Sequence, residues 1–359
     1  MYIFGLGPGL FYHILPRQYW KNYCKLVFGV RIIHQHKILS QRLRAAYKAM
    51  LEFVVEFEEL YCQRKTSRIH FVRPCLHTLI HAAPEVVRVG PGMIASQWTM
   101  ERAIGDLGGE IRLPSNPYAN LSQRAVRRYQ VNALKAIVPD LDEPINPLPR
   151  GSQDLGDGYV LLRAREKHAS GMTVLEAAAL RTYYHTCGQD LSDSYQPTIF
   201  RWARLRLPTG QVARSAWKEC RKALSSVRMA RNVKVRLCHA FNFIALLIII
   251  QINIPGKREE LAEVQYYFQM IVNAEQKTLA LVSSHTPPDR EVWNESNETL
   301  WLCYYQGDQA LKVVDAKTIT AVISLAPLPG GPEGSLFLVE KPGLDVAHMG
   351  GQDEIVTEG

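Results

Sequence analysis

The spacing of apolar residues changes along this chain, and that change limits the folds it can adopt. Between residues 39 and 62, apolar side chains recur at three- and four-residue steps, the period of an amphipathic helix. From about residue 262 the period becomes two, in short runs separated by turn residues. The pattern predicts an α+β protein whose N-terminal two thirds are mainly helical. The C-terminal part is expected to form a small antiparallel β-barrel-like domain.

Capping and breaking residues place the other predicted elements. Thr173 with Glu176, and Asn120 with Gln123, have the spacing of a helix capping box. Pro84 is expected to break or kink the helix near its end, because proline has no N–H to donate. The elements predicted in addition to helix 39–62 are helices 17–35, 74–83, 93–107, 120–138, 173–187 and 215–232, the last one basic, and a hairpin over 199–217.

Composition divides the chain into five segments. They are a helical domain (1–138), a linker with a basic helix and hairpin region (139–237), an apolar insertion (238–256), a small β domain (257–343) and a flexible acidic tail (344–359). Three interpretations of the insertion stay open: a buried strand or short core helix, a retained intron translated in frame, or a membrane-associated segment. Its longest apolar run has eight residues. A transmembrane helix needs about 20, so none is predicted.

Charge is distributed unevenly over the 359 residues, whose formal net charge is +8. Residues 1–150 carry a net +9, residues 151–236 a net +8, and residues 237–359 a net −9. A basic body predicts a polyanionic partner, although a basic solvated surface gives the same count. Seven cysteines without a CxxC pair, and an N-terminus without a secretory signal, predict an intracellular protein, nuclear or cytoplasmic.

Several strings occur in an order that is similar to one known family. They are PRQYWKNYCKLV (16–27), LEFVVEFEELY (51–61), CLHTLIHAAPEVVRVGPG (75–92) and SQWTMERAIGDLG (96–108). Together they resemble the helical region that follows the catalytic domain in CACTA-type (En/Spm-like) transposases. The strings EVQYYF (263–268), YYQGDQALKVVD (304–315) and VEKPGLDVAHMGG (339–351) are similar to the end of fungal members. The resemblance spans nearly the whole chain except 238–256, and it implies an N-terminally truncated transposase.

The resemblance implies an RNase H-like nuclease, in which two Asp and one Glu hold two Mg²⁺ or Mn²⁺ ions. It also makes His77 and His81 candidate zinc ligands and Glu101 the candidate third acidic residue. His77 and His81 share a helical face at their four-residue spacing. Two alternatives stay open: the histidines are ordinary packed or solvated residues, and Glu101 is a surface partner of a neighbouring arginine.

The carboxylate set that the family requires is incomplete in this chain. Its first Asp is Asp106, which follows Glu101, whereas the family order places two Asp before the Glu. A single carboxylate does not position two metal ions. We therefore expect that no cofactor is required as the chain stands, and that the chain has no autonomous nuclease or strand-transfer activity.

Two arginine clusters are candidate DNA contacts because arginine neutralises phosphates. The clusters are Arg124, Arg127 and Arg128 on the predicted helix, and Arg201, Arg204 and Arg206 on the predicted hairpin. The neighbouring Tyr129 and Trp202 could stack on bases, although interleaved aromatic residues are more often core. No base-reading motif is recognisable, so any DNA binding is expected to be independent of sequence.

Three functional hypotheses follow. The first is a truncated transposase-derived protein that binds DNA non-specifically and performs no catalysis. The second is a protein–protein interaction module without DNA binding. The third is an enzyme fragment that completes a two-metal site in trans with a full-length transposase. The expected partners are DNA or such a transposase, with no membrane and no small-molecule substrate.

Overall fold

A computed structural model of the chain describes residues 2–35, 37–92, 98–109, 111, 115–138, 141, 148–236 and 259–339. The predicted apolar insertion and acidic tail lie outside these described residues. The chain forms two compact units. The helical unit contains residues 2–5 and the described part of 17–141, and the β unit contains residues 6–16 and the described part of 148–339.

The helices of the helical unit pack mainly against helices that neighbour them in the chain. The first helix of the chain, α1 (Gly7–Leu10), belongs to the β unit. The helices of the helical unit are α2 (Arg17–Ile33), α3 (Ser40–Phe57), α4 (Pro74–Val89), α5 (Trp98–Gly109) and α6 (Pro117–Ile137). Helix α3 packs against both α2 and α4. At the α2–α3 contact, a Cβ added to Gly29 would lie 2.6 Å from Cγ of the buried Met50. Glycine is therefore what lets these two helices approach so closely.

The strongest helix prediction is confirmed, and the break at Pro84 is not. Helix α3 and the π-helical turn Glu58–Cys62 together cover the predicted 39–62. Helix α4, however, continues through Pro84 to Val89. Pro84 removes only one backbone N–H donor, and the helical turns before and after it keep their backbone hydrogen bonds. Because α4 is largely exposed, water can satisfy the carbonyl left without a donor.

Helix α6 begins one turn earlier than predicted. Pro117 occupies its first turn, where a missing N–H costs nothing, and Asn116 precedes it. The N–H of Asn120 already donates to the carbonyl of Asn116, at 3.1 Å. The predicted capping box of Asn120 with Gln123 is therefore wrong, because Asn120 lies inside the helix.

The described residues of the β unit form mainly antiparallel strands, with a few helices between them. The strands are β1 (Gln153–Gly156), β2 (Tyr159–Leu161), β3 (Ser170–Gly171), β4 (Thr198–Ile199), β5 (Arg204–Arg206), β6 (Val212–Arg214), β7 (Asn232–Arg236), β8 (Glu259–Val272), β9 (Glu275–Ser284), β10 (Leu302–Tyr304), β11 (Leu311–Asp315), β12 (Ile319–Val322), β13 (Ser324–Pro327) and β14 (Ser335–Val339). The helices after α6 are α7 (Val174–Thr186), α8 (Ala216–Glu219) and α9 (Arg290–Glu295).

The strands form sheets with the orders β11-β9-β8-β7-β12, β1-β2-β5-β6, β10-β14-β13 and β3-β4. Every strand pair between them is antiparallel. The α+β class is thus confirmed, and so is the capping box of α7: Thr173 Oγ1 accepts from the Glu176 N–H, and Glu176 Oε2 accepts from the Thr173 N–H. Within the described residues the strands form no closed barrel.

Strand β8 carries a β-bulge that reverses which side chains face each core. The pairing of β8 with β9 shifts register between Val264 and Tyr266. Before the shift, Ala262 and Val264 belong to the core that β8 shares with β5 and β7. After it, Tyr267 belongs to that core, while Tyr266 and Phe268 face the core under α7. One extra residue therefore moves the Tyr266 side chain to the other side of the sheet.

The predicted basic helix 215–232 is wrong. The segment contains only α8, a 3₁₀ turn over Leu224–Ser226 and the start of β7. The buried Glu219 folds it: its carboxylate accepts from Arg214, from Lys222 and from the backbone N–H of Arg228, at 3.2, 2.6 and 2.9 Å. These contacts turn the chain back toward the sheet.

The β structure begins at Gln153 rather than near residue 257. The predicted hairpin, which forms strands β5 and β6, is therefore part of the β unit.

Ion pairs within the β unit explain part of the uneven charge. Basic residues from 151–236 contact acids of the C-terminal segment. Arg231 pairs with Glu263, and Lys234 Nζ lies 3.6 Å from Glu259 across the β7–β8 pairing. Opposite charges on neighbouring strands stabilise the pairing modestly. Part of the charge that suggests a polyanionic partner is therefore neutralised inside the molecule.

Replacing Glu219 by Gln should destabilise the β unit by about 1–3 kcal/mol, because charge-assisted hydrogen bonds to a buried carboxylate are lost. Burial alone would raise the pKa of Glu219, but Lys222, the Arg228 N–H and Arg214 together lower it below its ordinary value. The carboxylate therefore stabilises the fold above the unfolded pKa, and this contribution is lost as pH falls through the lower folded pKa. Urea unfolding of the wild type and of Glu219→Gln, at several pH values between neutral pH and pH 3, measures the difference in their free energies of unfolding. The exposed Glu333→Gln is the control, and equal effects of the two variants would contradict the argument.

Candidate functional site

Helix α6 presents the clearest surface for a polyanion. Its 21 residues include Arg124, Arg127, Arg128 and Lys135 and no carboxylate. These cations recur at three-, four- and seven-residue steps, so they lie along one side of the helix. Arg128 lies 3.4 Å from Asp106 of α5. In the described part of the chain, no acidic side chain forms an ion pair with Arg124 or Arg127.

The second predicted arginine cluster is divided by the fold. Arg204 and Arg206 flank the buried Leu205 on β5, so both half-buried side chains lie on the face opposite the core, as predicted. Arg201 lies apart from them. Its guanidinium is 3.7 Å from the Glu176 carboxylate and stacks over the ring of Tyr266. It is therefore a residue of the α7 side of the sheet rather than part of an exposed basic surface.

The two aromatic residues proposed for base stacking also differ. Tyr129 on α6 is 64% exposed and is available to a ligand. Trp202 is 6% exposed and belongs to the core of the β unit. Its backbone N–H and C=O pair with Tyr267. Of the two interpretations left open for Trp202, the core residue is therefore the correct one, because its ring is packed against the sheet.

The histidine pair has part of the geometry of a metal site. His77 and His81 are exposed on α4, and their Nε2 atoms lie 3.1 Å apart. A structural zinc ion needs four ligands, and a catalytic one needs three from the protein. Among the described residues, no group of three His, Cys, Asp or Glu side chains is arranged to hold a metal. The pair thus does not fit a zinc site by itself.

Glu101 lies in the first turn of α5, and its side chain is exposed. In the described residues no further carboxylates gather with it into a metal-binding group. A two-metal centre needs several carboxylates around both ions. The described residues around Glu101 do not fit a two-metal centre, so no catalytic role is assigned to Glu101.

Sequence reasoning missed the polar residues that surround Arg201. Glu176, Trp217 and Tyr266 line a cleft with it, although these four residues are spread over 91 positions of the chain. The sequence predicts only a helix-capping role for Glu176. The β-bulge that turns Tyr266 toward Arg201 has no signal in the alternation of apolar residues. Only the fold brings these side chains together.

The chain matches no known family, no curated protein and no solved structure. No helix among the described residues is long and apolar enough to span a membrane.

We expect zinc to leave the thermal stability of the protein unchanged, because two exposed imidazoles are too few ligands to bind zinc tightly. Melting temperatures of the wild type and His81→Ala, each with and without an equimolar zinc salt, test this. A zinc-dependent rise in Tm of the wild type that His81→Ala abolishes would contradict it. That result would place the other ligands outside the described residues.

Proposed function

We propose that this chain is a transposase-derived protein that binds DNA without sequence specificity through helix α6. The observation that carries the proposal is the charge of α6, with four cations and no carboxylate in 21 residues. The similarity of the sequence strings to CACTA-type transposases supports a nucleic-acid partner. An intracellular location, nuclear or cytoplasmic, belongs to the same proposal.

The contacts on α6 suit the nucleic-acid backbone. Arg127 is exposed, and Arg124 and Arg128 are half-buried beside it. Guanidinium groups bind phosphates by charge and carry no base information unless they reach a groove edge. The exposed ring of Tyr129 adds a stacking surface that accepts any base. Affinity is therefore expected to vary steeply with salt and little with sequence.

A second candidate is an interaction module formed by the β unit. The observation that favours it is the internal pairing of charge, such as Arg231 with Glu263 and Lys317 with Asp157 at 2.7 Å. These pairs leave fewer cations for DNA in this unit. We propose that its sheets are arranged as a partly closed, barrel-like body, since Trp202 pairs with Tyr267 of β8 and so joins two of them.

The DNA-binding proposal is tested with the double variant Arg124→Ala/Arg127→Ala. The wild type should bind a fluorescent duplex with an affinity that falls as salt rises. The variant should bind more weakly, and the slope of log K against log salt should decrease in magnitude by roughly 1–2, because about one counterion is released per phosphate contact. Fluorescence anisotropy over a salt series measures both quantities, and circular dichroism checks that the variant is folded.

The matched control is the double variant Arg64→Ala/Arg88→Ala. Both arginines are exposed in the helical unit and paired, with Glu59 and Glu85, at 2.7 and 2.6 Å. The variant changes net charge equally and should leave the slope near the wild-type value. Equal losses of DNA affinity in both double variants would show that the effect comes from net charge rather than from α6. A wild type that binds no DNA would overturn the proposal.

Purified protein should not cleave DNA in the presence of Mg²⁺ or Mn²⁺, because no carboxylates of the described residues gather with Glu101 into a two-metal centre. Glu101→Gln should behave as the wild type does in a plasmid-nicking assay. Metal-dependent nicking by the wild type that is lost in Glu101→Gln would instead favour the enzyme hypothesis.

A further inference from the structure

Helix α6 exposes two tyrosine rings on the same side. Tyr118 is 84% exposed and Tyr129 is 64% exposed. The step of eleven residues from one to the other spans about three helical turns, so both side chains leave the helix in nearly the same direction. Their backbone positions are about 16 Å apart along the helix axis. Exposed apolar groups that lie together, rather than singly, mark a surface that binds another molecule.

Small side chains lie between the two rings. Ser122 follows Tyr118 by one turn on this side of α6, and Ala125 precedes Tyr129 by one turn. Both are too small to cover a neighbouring ring, in keeping with the high exposure of the two tyrosines. This side of the helix therefore offers two stacking surfaces to a ligand that carries flat rings.

Cations border the tyrosine side. Arg128 lies three residues after Ala125 and Tyr129 lies four residues after it, so both are neighbours of Ala125 on the helix surface. Arg124 lies one turn before Arg128 on the same border. Asp106 of α5, 3.4 Å from Arg128, neutralises only part of this charge. Because α6 contains no carboxylate, an anionic group attached to a stacked ring is attracted rather than repelled.

Flat rings joined by anionic groups are the chemistry of a nucleic-acid strand. In a duplex the bases are stacked on one another, so a protein surface reaches phosphates and groove edges but not the faces of the bases. In a single strand the bases turn outward and stack on aromatic side chains. The arginines of α6 suit both forms, whereas its exposed tyrosines add affinity only for a single strand. A protein partner could also cover the rings, but it would have to supply carboxylates for the bordering arginines.

We propose that α6 binds single-stranded nucleic acid in preference to a duplex, with Tyr118 and Tyr129 stacking on bases and Arg124 and Arg128 contacting phosphates. The inference rests on the proposed nucleic-acid binding by α6 and adds the form of the nucleic acid. Every base has a flat face, so this preference requires no particular sequence. DNA and RNA strands share the rings and the phosphates that the surface recognises, and they differ in the 2′-hydroxyl.

The test measures the affinity of the full chain for four fluorescent ligands of one length by anisotropy. They are a mixed-sequence DNA strand, the duplex of that strand, the RNA strand of the same sequence, and an abasic deoxyribose–phosphate strand. A strand with bases should bind about tenfold or more tightly than the duplex and the abasic strand, because stacking adds to the charge term. The tighter of the DNA and RNA strands identifies the sugar that is preferred.

Tyr118→Ala/Tyr129→Ala should weaken single-strand binding about tenfold or more for each ring. Its duplex affinity and the salt dependence of binding should stay near the wild-type values, because the arginines are kept. Tyr118→Phe/Tyr129→Phe keeps both rings and should bind as the wild type does. Tyr47→Ala is the matched control, since Tyr47 of α3 is also exposed, at 41%, and it should leave every affinity unchanged.

Equal affinity for the single strand and the duplex would overturn the inference and leave DNA binding by α6 in place. Full single-strand affinity in Tyr118→Ala/Tyr129→Ala would do the same, and it would assign the exposed rings to a protein partner. A wild type that binds none of the four ligands would instead overturn the proposed function itself. The wild-type comparison of strand, duplex and abasic strand decides the inference even if a variant fails to fold.

Discussion

The β-bulge in β8 is the constraint on which the β unit depends. Strand β8 pairs with β7 and β9 and contributes to the cores on both faces of the sheet. In an unbroken strand, Val264 and Tyr266 would share a face. The extra residue places Tyr267 beside the residues that pack under Trp202, and it turns Tyr266 toward Arg201. One local irregularity thus joins the two sheets on one face and supplies the floor of the cleft on the other.

The fold pairs basic and acidic segments that are far apart in the sequence. Counted along the sequence, residues 151–236 are strongly basic and the C-terminal segment is acidic. Antiparallel pairing brings the two together, so that Arg231 and Lys234 contact Glu263 and Glu259. Part of the basic charge counted in residues 151–236 is therefore neutralised within the β unit. Helix α6 has no such complement within its own sequence.

Features set by neighbouring residues could be predicted from the sequence. The apolar period of α3, the capping box of Thr173 with Glu176, and the turn between β5 and β6 all depend on a few adjacent positions. Features set by distant residues could not. The segment after α8 has a helical composition, but the buried Glu219 and the pairing of β7 override that preference. Arg201 and Arg204 look equivalent in sequence, yet β5 begins only at Arg204, and Arg201 meets Glu176 instead.

The cations of the surface proposed on α6 act by charge rather than by a fitted geometry. They act on a highly charged backbone through solvent, so their contribution is screened by salt and requires no single arrangement of side chains. Because the β unit is a separate compact unit, a substitution on α6 need not disturb its cores. Loss of salt-dependent DNA affinity with an unchanged circular dichroism spectrum would therefore separate a charge effect from a general loss of structure.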